Sequence, residues 1–413
     1  MLRRSTFGSL LLSLAACLFA GCGRAAPALH DGPIVLVTFD ALRADACSPL
    51  GGPPGGSPGG PPVRMPRLEA LAREATWAGH GIAPSTESVA ALGTLLTGLR
   101  PWQHQALHAE RPQLAPDLLT LAEALHRRGY TTAGYPADPW GQPWFGAEQG
   151  FDAFARLGRG RRALERLSSL GAGRHFVWVH LPQRLGAGRA DERLGELLDA
   201  LGSGGHRDRA LIVVTALHGA ASEGGTLERA GLEVPLLVKL PQGSSLHLRP
   251  PVTQRVAVAR IWATLVEAVG GEVPPAVAPS LWRSAPPEAL SELYRVHGSH
   301  RFSLLVSDPA GDLQLLQEVR FAPAPPDEVP PFRGLGGPAG RSRTLERWLP
   351  GGGTVQVDDP QRLAELALRL DLAWHQGVSE ERSPGAELAD WHGPRRPRGR
   401  LRKNSGAASA RVE

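Results

Sequence analysis

Four short runs of consecutive apolar residues dominate the hydrophobic pattern of the chain. The runs are IVLVTF at 34–39, HFVWVH at 175–180, ALIVVT at 210–215 and VPLLVKL at 234–240. Continuous runs of this length, rich in Val, are typical of strands buried on both faces of a parallel sheet. Between the runs lie segments with apolar residues at helical spacing, at 66–76, 117–128 and 191–201. This alternation predicts an α/β fold with a doubly wound, mainly parallel sheet flanked by helices.

The pattern changes near residue 290. Arg301–Phe321 predicts a β-hairpin, and Asp359 followed by Pro360 predicts the start of a last helix. Within the larger part, Asp117 is the predicted cap of the helix at 117–128. The predicted organisation is an α/β domain at 33–290 with a Gly/Pro-rich insertion at 51–62, a small C-terminal antiparallel subdomain at 291–375, and a basic, disordered tail at 376–413.

The N-terminus resembles a bacterial lipoprotein signal peptide at 1–22, followed by a tether at 23–32. Its apolar segment is too short for a membrane span and ends in LFAGC at Cys22. We predict that Cys22 is lipidated, with Cys17 as the alternative. The protein would then be anchored by lipid on the periplasmic side of the bacterial cell envelope, in the outer membrane. Cys47 would be the remaining thiol of the mature chain, so no intramolecular disulfide is expected.

The charge distribution excludes nucleic acid as a partner. The formal net charge is +5, and six basic residues fall within 395–403, so the rest of the chain is close to neutral. No aromatic residue is interleaved with that basic run, as a nucleic-acid surface would require. The chain has two lysines, Lys239 and Lys403.

Asp40 follows the first apolar run directly, at the strand end where open α/β sheets bind ligands. On position alone, an Asp that caps the following turn is equally consistent. The segment IVLVTFDALRAD at 34–45 resembles the opening motif of the sulfatase family, in the alkaline phosphatase superfamily. LTLAEALHRRGYTTAGY at 119–135 and GAEQGFDAF at 146–154 are similar to further landmarks of that family. The resemblance implies an alkaline-phosphatase-like fold and identifies Asp40 as a candidate metal ligand.

The same resemblance places the nucleophile of the family at Ser88, counted back from LLTG at 95–98. The family motif there is Cys or Ser-x-Pro-x-Arg, whereas this chain has Ala90 for the Pro and Leu92 for the anion-binding Arg. Ser88 is therefore the candidate catalytic nucleophile, and an ordinary helix cap is the alternative for the same residue.

A second metal-binding segment of the family, Ser-Asp-His-Gly, corresponds to Ala-Leu-His-Gly at 216–219. His218 is retained, but Leu217 replaces the acidic ligand. Asp40 and His218 alone would under-ligate a hard cation such as calcium or magnesium, which prefers six or more oxygens. No lysine stands where the family uses lysine to bind sulfate and assist the leaving group. Asp40 and His218 thus resemble a vestigial metal site.

Two classes of function remain. In the first, the protein is a degenerate sulfatase-like lipoprotein without a cofactor, with a binding or scaffolding role toward a sulfated or phosphorylated envelope ligand. In the second, it is an atypical hydrolase of sulfate or phosphate esters that uses Ser88 and a divalent cation. The losses fall on charged catalytic positions, while apolar and turn landmarks remain, and this pattern favours the degenerate class. Whether the protein is an enzyme stays open.

The predicted anchor can be tested by substitution. We expect Cys22→Ala to release the protein from the membrane fraction or to leave an uncleaved precursor, because the modified thiol is lost. Cys17→Ala is the matched control and should be anchored normally. Fractionation with radiolabelled fatty acid measures both variants, and the opposite result would move the anchor to Cys17.

Overall fold

The computed structural model describes residues 29–47, 64–107, 113–137, 145–219, 226–248, 255–284, 288–295, 299–306, 312–321, 338–349 and 354–378. The predicted signal peptide with Cys17 and Cys22, the insertion at 51–62 and the chain beyond Val378 lie outside these residues. None of the helices within the described ranges is both long and apolar enough to cross a membrane.

Two sheets make up the strand content of the described chain. The strands are β1 (Ile34–Ala41), β2 (Trp77–Ile82), β3 (Thr131–Tyr135), β4 (Ala153–Phe154), β5 (His175–Leu181), β6 (Leu211–His218), β7 (Glu233–Lys239), β8 (Val256–Ala257), β9 (Glu288–Arg295), β10 (Ser299–Val306), β11 (Leu313–Phe321), β12 (Pro338–Trp348) and β13 (Thr354–Gln356). The α-helices are α1 (Pro66–Glu74), α2 (Ser88–Thr97), α3 (Pro101–His104), α4 (Leu121–His126), α5 (Arg161–Ser168), α6 (Gly186–Ser203), α7 (Arg229–Leu232), α8 (Arg260–Ala268) and α9 (Pro360–Val378).

The larger sheet has eight described strands in the order β4-β3-β5-β1-β6-β7-β2-β8. The strands from β4 to β6 are parallel, β7 is antiparallel to both of its neighbours, and β2 pairs with β8 in parallel. Helices flank the sheet, with α1 against β7, α2 against β6 and α4 against β3. The predicted fold, a mainly parallel α/β sheet with a separate antiparallel part, is confirmed.

Strand β1 occupies the middle of this sheet, between β5 and β6. Ile34 pairs with Phe176 on one side and Leu211 on the other, and the register continues to the carboxyl ends of the strands. All three strands are buried almost throughout, which explains why each appears in the sequence as an unbroken apolar run.

The start of α1 depends on a carboxylate from another helix. Asp191, in α6, accepts hydrogen bonds from the backbone nitrogens of Arg67 at 3.0 Å and Leu68 at 2.8 Å. Helix N-termini expose amide groups that have no partner within the helix, and Asp191 satisfies two of them. This buried acid therefore fixes α6 against α1.

The predicted cap at Asp117 is wrong. Helix α4 begins after Thr120, whose Oγ1 accepts from the backbone N of Glu123 at 3.2 Å. In return, Glu123 Oε2 accepts from the backbone N of Thr120 at 2.9 Å. This reciprocal pair satisfies two amide groups at once, which a lone Asp three residues earlier cannot do.

The second sheet is antiparallel, with the described order β13-β12-β11-β10-β9. The predicted hairpin is present as β10 and β11, which pair from Ser299–Arg320 to Val306–Leu313. Asp359 Oδ1 accepts from the backbone N of Arg362 at 2.9 Å, as expected of the cap of α9. The predicted boundary at residue 290 falls within β9, and α9 continues to Val378.

A buried ion cluster joins the two sheets. Glu233, at the start of β7, binds Arg229 Nε at 2.7 Å and Arg255 Nε at 2.5 Å. Arg255 also pairs with Asp312, beside β11. The guanidinium groups of Arg229 and Arg255 lie 5.4 and 5.2 Å from the ring centroid of Trp348 in β12. The cluster thus connects Glu233, the first residue of β7, to the second sheet, which we call the C-terminal sheet.

The charge of Glu233 is maintained by its neighbours. Burial alone would raise the pKa of Glu233, but its hydrogen bond to His80 and the charges of Arg255 and Arg229 together lower that pKa well below its usual range. The stabilisation it provides is therefore complete above the unfolded-state pKa near 4.5 and is lost as the pH falls through the lower folded-state pKa.

We expect Glu233→Gln to lower the free energy of unfolding at pH 7 by about 2–4 kcal/mol, because two arginines lose their shared counter-charge in a buried setting. The difference from wild type should shrink as the pH falls below about 4.5, because the unfolded carboxyl then binds a proton that folded Glu233 does not. Urea unfolding at pH 7 and pH 3 measures both effects. Glu272→Gln, at an exposed position, is the matched control. Equal stability of the two variants at pH 7 would contradict the role of the cluster.

Candidate functional site

The carboxyl ends of three neighbouring parallel strands form one edge of the larger sheet. Thr38 in β1 pairs with His180 in β5, and Ala41 in β1 pairs with His218 in β6. Asp40 therefore lies between the two histidines along this edge. Ligands of open α/β sheets bind at such an edge, outside the carboxyl ends of the strands.

Helix α2 begins at the same edge with Ser88 as its first residue. Ser88 Oγ lies 2.9 Å from Nε2 of His218, and the side chain of Ser88 is partly exposed. The N-cap of α2 is Glu87, which makes no side-chain capping bond. The alternative that Ser88 is an ordinary helix cap is therefore wrong, because its hydroxyl bonds to a histidine on a neighbouring strand.

The hydrogen bonds of His218 define which ring nitrogen carries the proton. Nδ1 lies 3.0 Å from the carbonyl oxygen of Gly219, which can only accept, so Nδ1 is the donor. Nε2 is then free of hydrogen and accepts from the Ser88 hydroxyl. Burial lowers the pKa of His218, and the nearby Asp40 opposes that shift only in part. The ring is neutral with a basic nitrogen directed at Ser88.

Gly219 is required by the packing behind this histidine. A Cβ added at Gly219 would collide with the carbonyl oxygen of Ala230. The backbone N of Gly219 donates to Gly231 O at 2.7 Å, which holds the segment against α7. This close approach fixes the carbonyl that orients the imidazole of His218.

His180 is held in the opposite tautomer. Trp178 Nε1 donates to Thr38 Oγ1 at 3.0 Å, and Thr38 Oγ1 lies 2.9 Å from His180 Nδ1. Among the described contacts of Thr38, Nδ1 is the acceptor within reach of its hydroxyl hydrogen, so we assign the hydroxyl as the donor to Nδ1. His180 Nε2 then carries the hydrogen and lies 3.8 Å from Asp40 Oδ1, too far for a direct hydrogen bond. Burial lowers the pKa of His180 to about 4, although Asp40 opposes the shift, so the ring is neutral.

The sequence pattern alone does not single out His180. Its signal is its position at the end of an apolar run, the same signal that marks Asp40 and His218. The structure thus brings Ser88 and His218 into contact and places Asp40 and His180 beside them. The catalytic and metal-binding roles assigned to Ser88, Asp40 and His218 stay predictions.

The donor groups of this edge do not fit a divalent cation. His218 Nε2 is engaged by Ser88, His180 Nε2 carries a hydrogen, and Leu217 is buried where the family resemblance expects a carboxylate. Across the described ranges, no group of three or more His, Cys, Asp or Glu side chains is arranged to hold a metal ion. Asp40 alone cannot supply the oxygen ligands that calcium or magnesium requires.

The positions that would carry the positive charge are apolar or remote. Ala90 and Leu92 are buried in α2. Lys239 pairs with Ile212 at the start of β6, at the opposite end from His218, and its Nζ donates to Arg207 O at 2.8 Å. Lys239 therefore has a structural partner far from Ser88.

Comparison with known proteins agrees with this architecture. Residues 33–167 match the protein-family model described as Sulfatase. No curated protein matches the chain significantly.

Among solved structures, a 2-O GAG sulfatase superposes with a TM-score of 0.60 at 12% identity, with 85% of this chain and 92% of that chain covered. A phosphonate monoester hydrolase from Silicibacter pomeroyi gives 0.58 at 16% identity, over 85% and 96% of the two chains. A protein of the alkaline phosphatase superfamily from Vibrio parahaemolyticus gives 0.57 at 15% identity, over 89% and 88%. At these identities the likeness establishes the fold.

We expect Thr38→Val to lower the free energy of unfolding by about 1–3 kcal/mol, because it leaves the indole N–H of Trp178 and Nδ1 of His180 buried without a partner. Thr131→Val, at an exposed position of β3, is the matched control and should lower the free energy of unfolding by less. Urea unfolding measures both variants. If both variants lower the free energy of unfolding equally, the hydrogen bonds from Trp178 through Thr38 to His180 do not stabilise this edge.

Proposed function

We propose that the protein is a sulfatase-like lipoprotein of the cell envelope that no longer hydrolyses sulfate or phosphate esters; the match of residues 33–167 to the Sulfatase family model and the alkaline-phosphatase-like fold support its relationship to sulfatases. In this proposal it has a binding or scaffolding role and needs no cofactor. The observation that carries the proposal is the 2.9 Å hydrogen bond between Ser88 Oγ and His218 Nε2. It occupies the imidazole nitrogen that a metal site at this edge would need.

Metal-dependent hydrolysis of an anionic ester has three requirements. It needs a metal-held nucleophile, positive charge on the non-bridging oxygens, and an acid for the leaving group. In the described chain, Leu217 and Leu92 replace a ligand and a cation, and Lys239 lies at the far end of the sheet. The replaced groups are the charged ones that this chemistry needs, and their replacement supports the loss of sulfate and phosphate ester hydrolysis.

The charge of Asp40 adds to this disadvantage. Its side chain is 19% exposed and lies beside the two neutral histidines. A sulfate or phosphate group placed here would lie next to this carboxylate, and two like charges that leave water together are strongly destabilised. In this proposal a sulfated or phosphorylated envelope ligand is the partner class to be tested first, and it is neither held by its charged group at Asp40 nor cleaved.

The cell-envelope assignment is supported by LFAGC at Cys22 and the short apolar segment before it. Lipid attachment would hold the domain at the outer membrane, facing the periplasm. The second candidate function is an atypical hydrolase of sulfate or phosphate esters. The partly exposed Ser88 hydroxyl favours it, since a nucleophile must be accessible to its substrate.

Activity and metal content of the purified full chain in detergent test the proposal. We expect no hydrolysis of aryl sulfates or aryl phosphates above the Ser88→Ala variant, with or without added calcium or magnesium. We also expect less than stoichiometric metal by elemental analysis. A known arylsulfatase in the same detergent controls the assay. Hydrolysis at an ordinary enzymatic rate that is lost in Ser88→Ala and Asp40→Asn would establish the hydrolase instead.

A further inference from the structure

We propose that Ser88 and His218 form a nucleophile and base that act without a metal, and that their substrate class is neutral carboxylic esters. The inference rests on the proposed function in one respect: only a site without a metal leaves His218 Nε2 available as a base. The geometry is that of an activated serine, with Oγ and Nε2 2.9 Å apart. A nucleophile and base within hydrogen-bond distance, with the base oriented by a third group, is the general arrangement of such pairs.

The third group here is a backbone carbonyl. Gly219 O accepts from His218 Nδ1 at 3.0 Å and thereby presents the basic nitrogen to the serine. The carbonyl cannot move away, because Gly219 is packed against Ala230 and its own N–H is bonded to Gly231. The ring is therefore oriented before any substrate arrives.

The first turn of α2 supplies donors for a developing oxyanion. The first hydrogen bond to close this ten-residue helix runs from Ala91 N to Glu87 O at 2.9 Å. The amide groups of Ser88, Val89 and Ala90 precede it and have no acceptor within the helix. Amide groups beside the nucleophile stabilise the oxygen of a tetrahedral intermediate when water is excluded.

A second observation points to a ligand at this edge. His180 is fully buried, and its Nε2 has no hydrogen-bond partner among the described residues. This nitrogen carries a hydrogen and lies 3.8 Å from Asp40 Oδ1, beside the pair. A buried donor without a partner is costly, and a carbonyl or ether oxygen of a bound ester would satisfy it.

The charges of the site select a neutral substrate. Leu92 is buried where the family resemblance expects an anion-binding Arg, so this position provides no cation for an anionic ester. A carboxylic ester carries no charge before attack and gains one negative charge in the tetrahedral intermediate. Backbone amides can stabilise that single charge, whereas a sulfate or phosphate group is already charged when it binds.

The reaction balances with bulk water as the second reactant. The Ser88 oxygen forms a bond to the carbonyl carbon while its proton passes to His218 Nε2. The bond between that carbon and the alkoxy oxygen then breaks, and Nε2 returns the proton to the leaving alcohol. Water attacks the acyl-serine and gives a proton to Nε2, the acyl–oxygen bond breaks, and Ser88 regains the proton.

The test uses the full chain in detergent with two neutral probes, an alkyl fluorophosphonate and p-nitrophenyl butyrate. We expect one covalent adduct, located by mass spectrometry on the peptide that contains Ser88, together with ester hydrolysis. Ser88→Ala should abolish both, and His218→Gln should lower both by about 100-fold or more, as expected for loss of a general base. Ser203→Ala, which removes an exposed serine, is the matched control and should behave as wild type.

A second variant keeps the test decisive if His218→Gln fails to fold. In Ser88→Cys, which leaves His218 in place, we expect iodoacetamide to alkylate the new thiol at least about 10-fold faster than the exposed thiol of a Ser203→Cys variant. Cys47 gives little background, because burial raises the pKa of its thiol to about 12. Equal rates for the two thiols would overturn the pairing.

The possible failures are distinguishable. No adduct and no ester hydrolysis in folded wild type, or an adduct that persists in Ser88→Ala, would overturn this inference and leave the proposed function standing. Hydrolysis of aryl sulfates that depends on Ser88 and on calcium would overturn the proposed function and with it the metal-free pair. Hydrolysis of the butyrate ester alone, dependent on Ser88 and His218, supports both.

Discussion

The parallel pairing of β1 between β5 and β6 is the constraint on which the site depends. It aligns Thr38 with His180 and Ala41 with His218, and so gathers groups from distant parts of the chain at one edge. Side chains alternate between the two faces of a sheet, so a slip of one residue in either pairing would turn the histidine away from Asp40. The register of these three buried strands therefore determines the site.

At this edge, backbone and hydroxyl groups determine the tautomers of the two histidines. His218 is a donor through Nδ1 and an acceptor through Nε2, because Gly219 O can only accept. His180 is assigned the reverse tautomer, because its Nδ1 is the acceptor that the described contacts offer to the Thr38 hydroxyl. Both rings are neutral in this low-dielectric setting. The edge is therefore polar and directional but carries little positive charge, unlike a site that holds a divalent cation and an anionic ester.

The fold could be predicted from the sequence because its signals are local. Buried parallel strands appear as apolar runs, and Asp359 before Pro360 marks a helix start. The cap of α4 was predicted at the wrong residue, since Thr120 and Glu123 satisfy each other reciprocally and outcompete Asp117.

The details of the site could be predicted only in part. Ser88, Asp40 and His218 follow from position and resemblance, but the hydrogen bond between Ser88 and His218 joins residues 130 positions apart and depends on where α2 packs. The tautomer of His180 depends in the same way on two partners across strands. The capping of α1 by Asp191 is a further long-range contact that no local sequence pattern predicts.

The ion cluster around Glu233 has a consequence for how this architecture can evolve. Arg229 and Arg255 come from the α/β part, but Trp348 and Asp312 of the C-terminal sheet complete their surroundings. Deleting that sheet would expose the guanidinium groups of Arg229 and Arg255, and Arg229 begins α7, against which Gly219 packs. The C-terminal sheet is therefore not a module that recombination could exchange freely: a replacement must bring its own acceptor and aromatic face, or the carboxyl edge of the larger sheet that holds His218 loses its support.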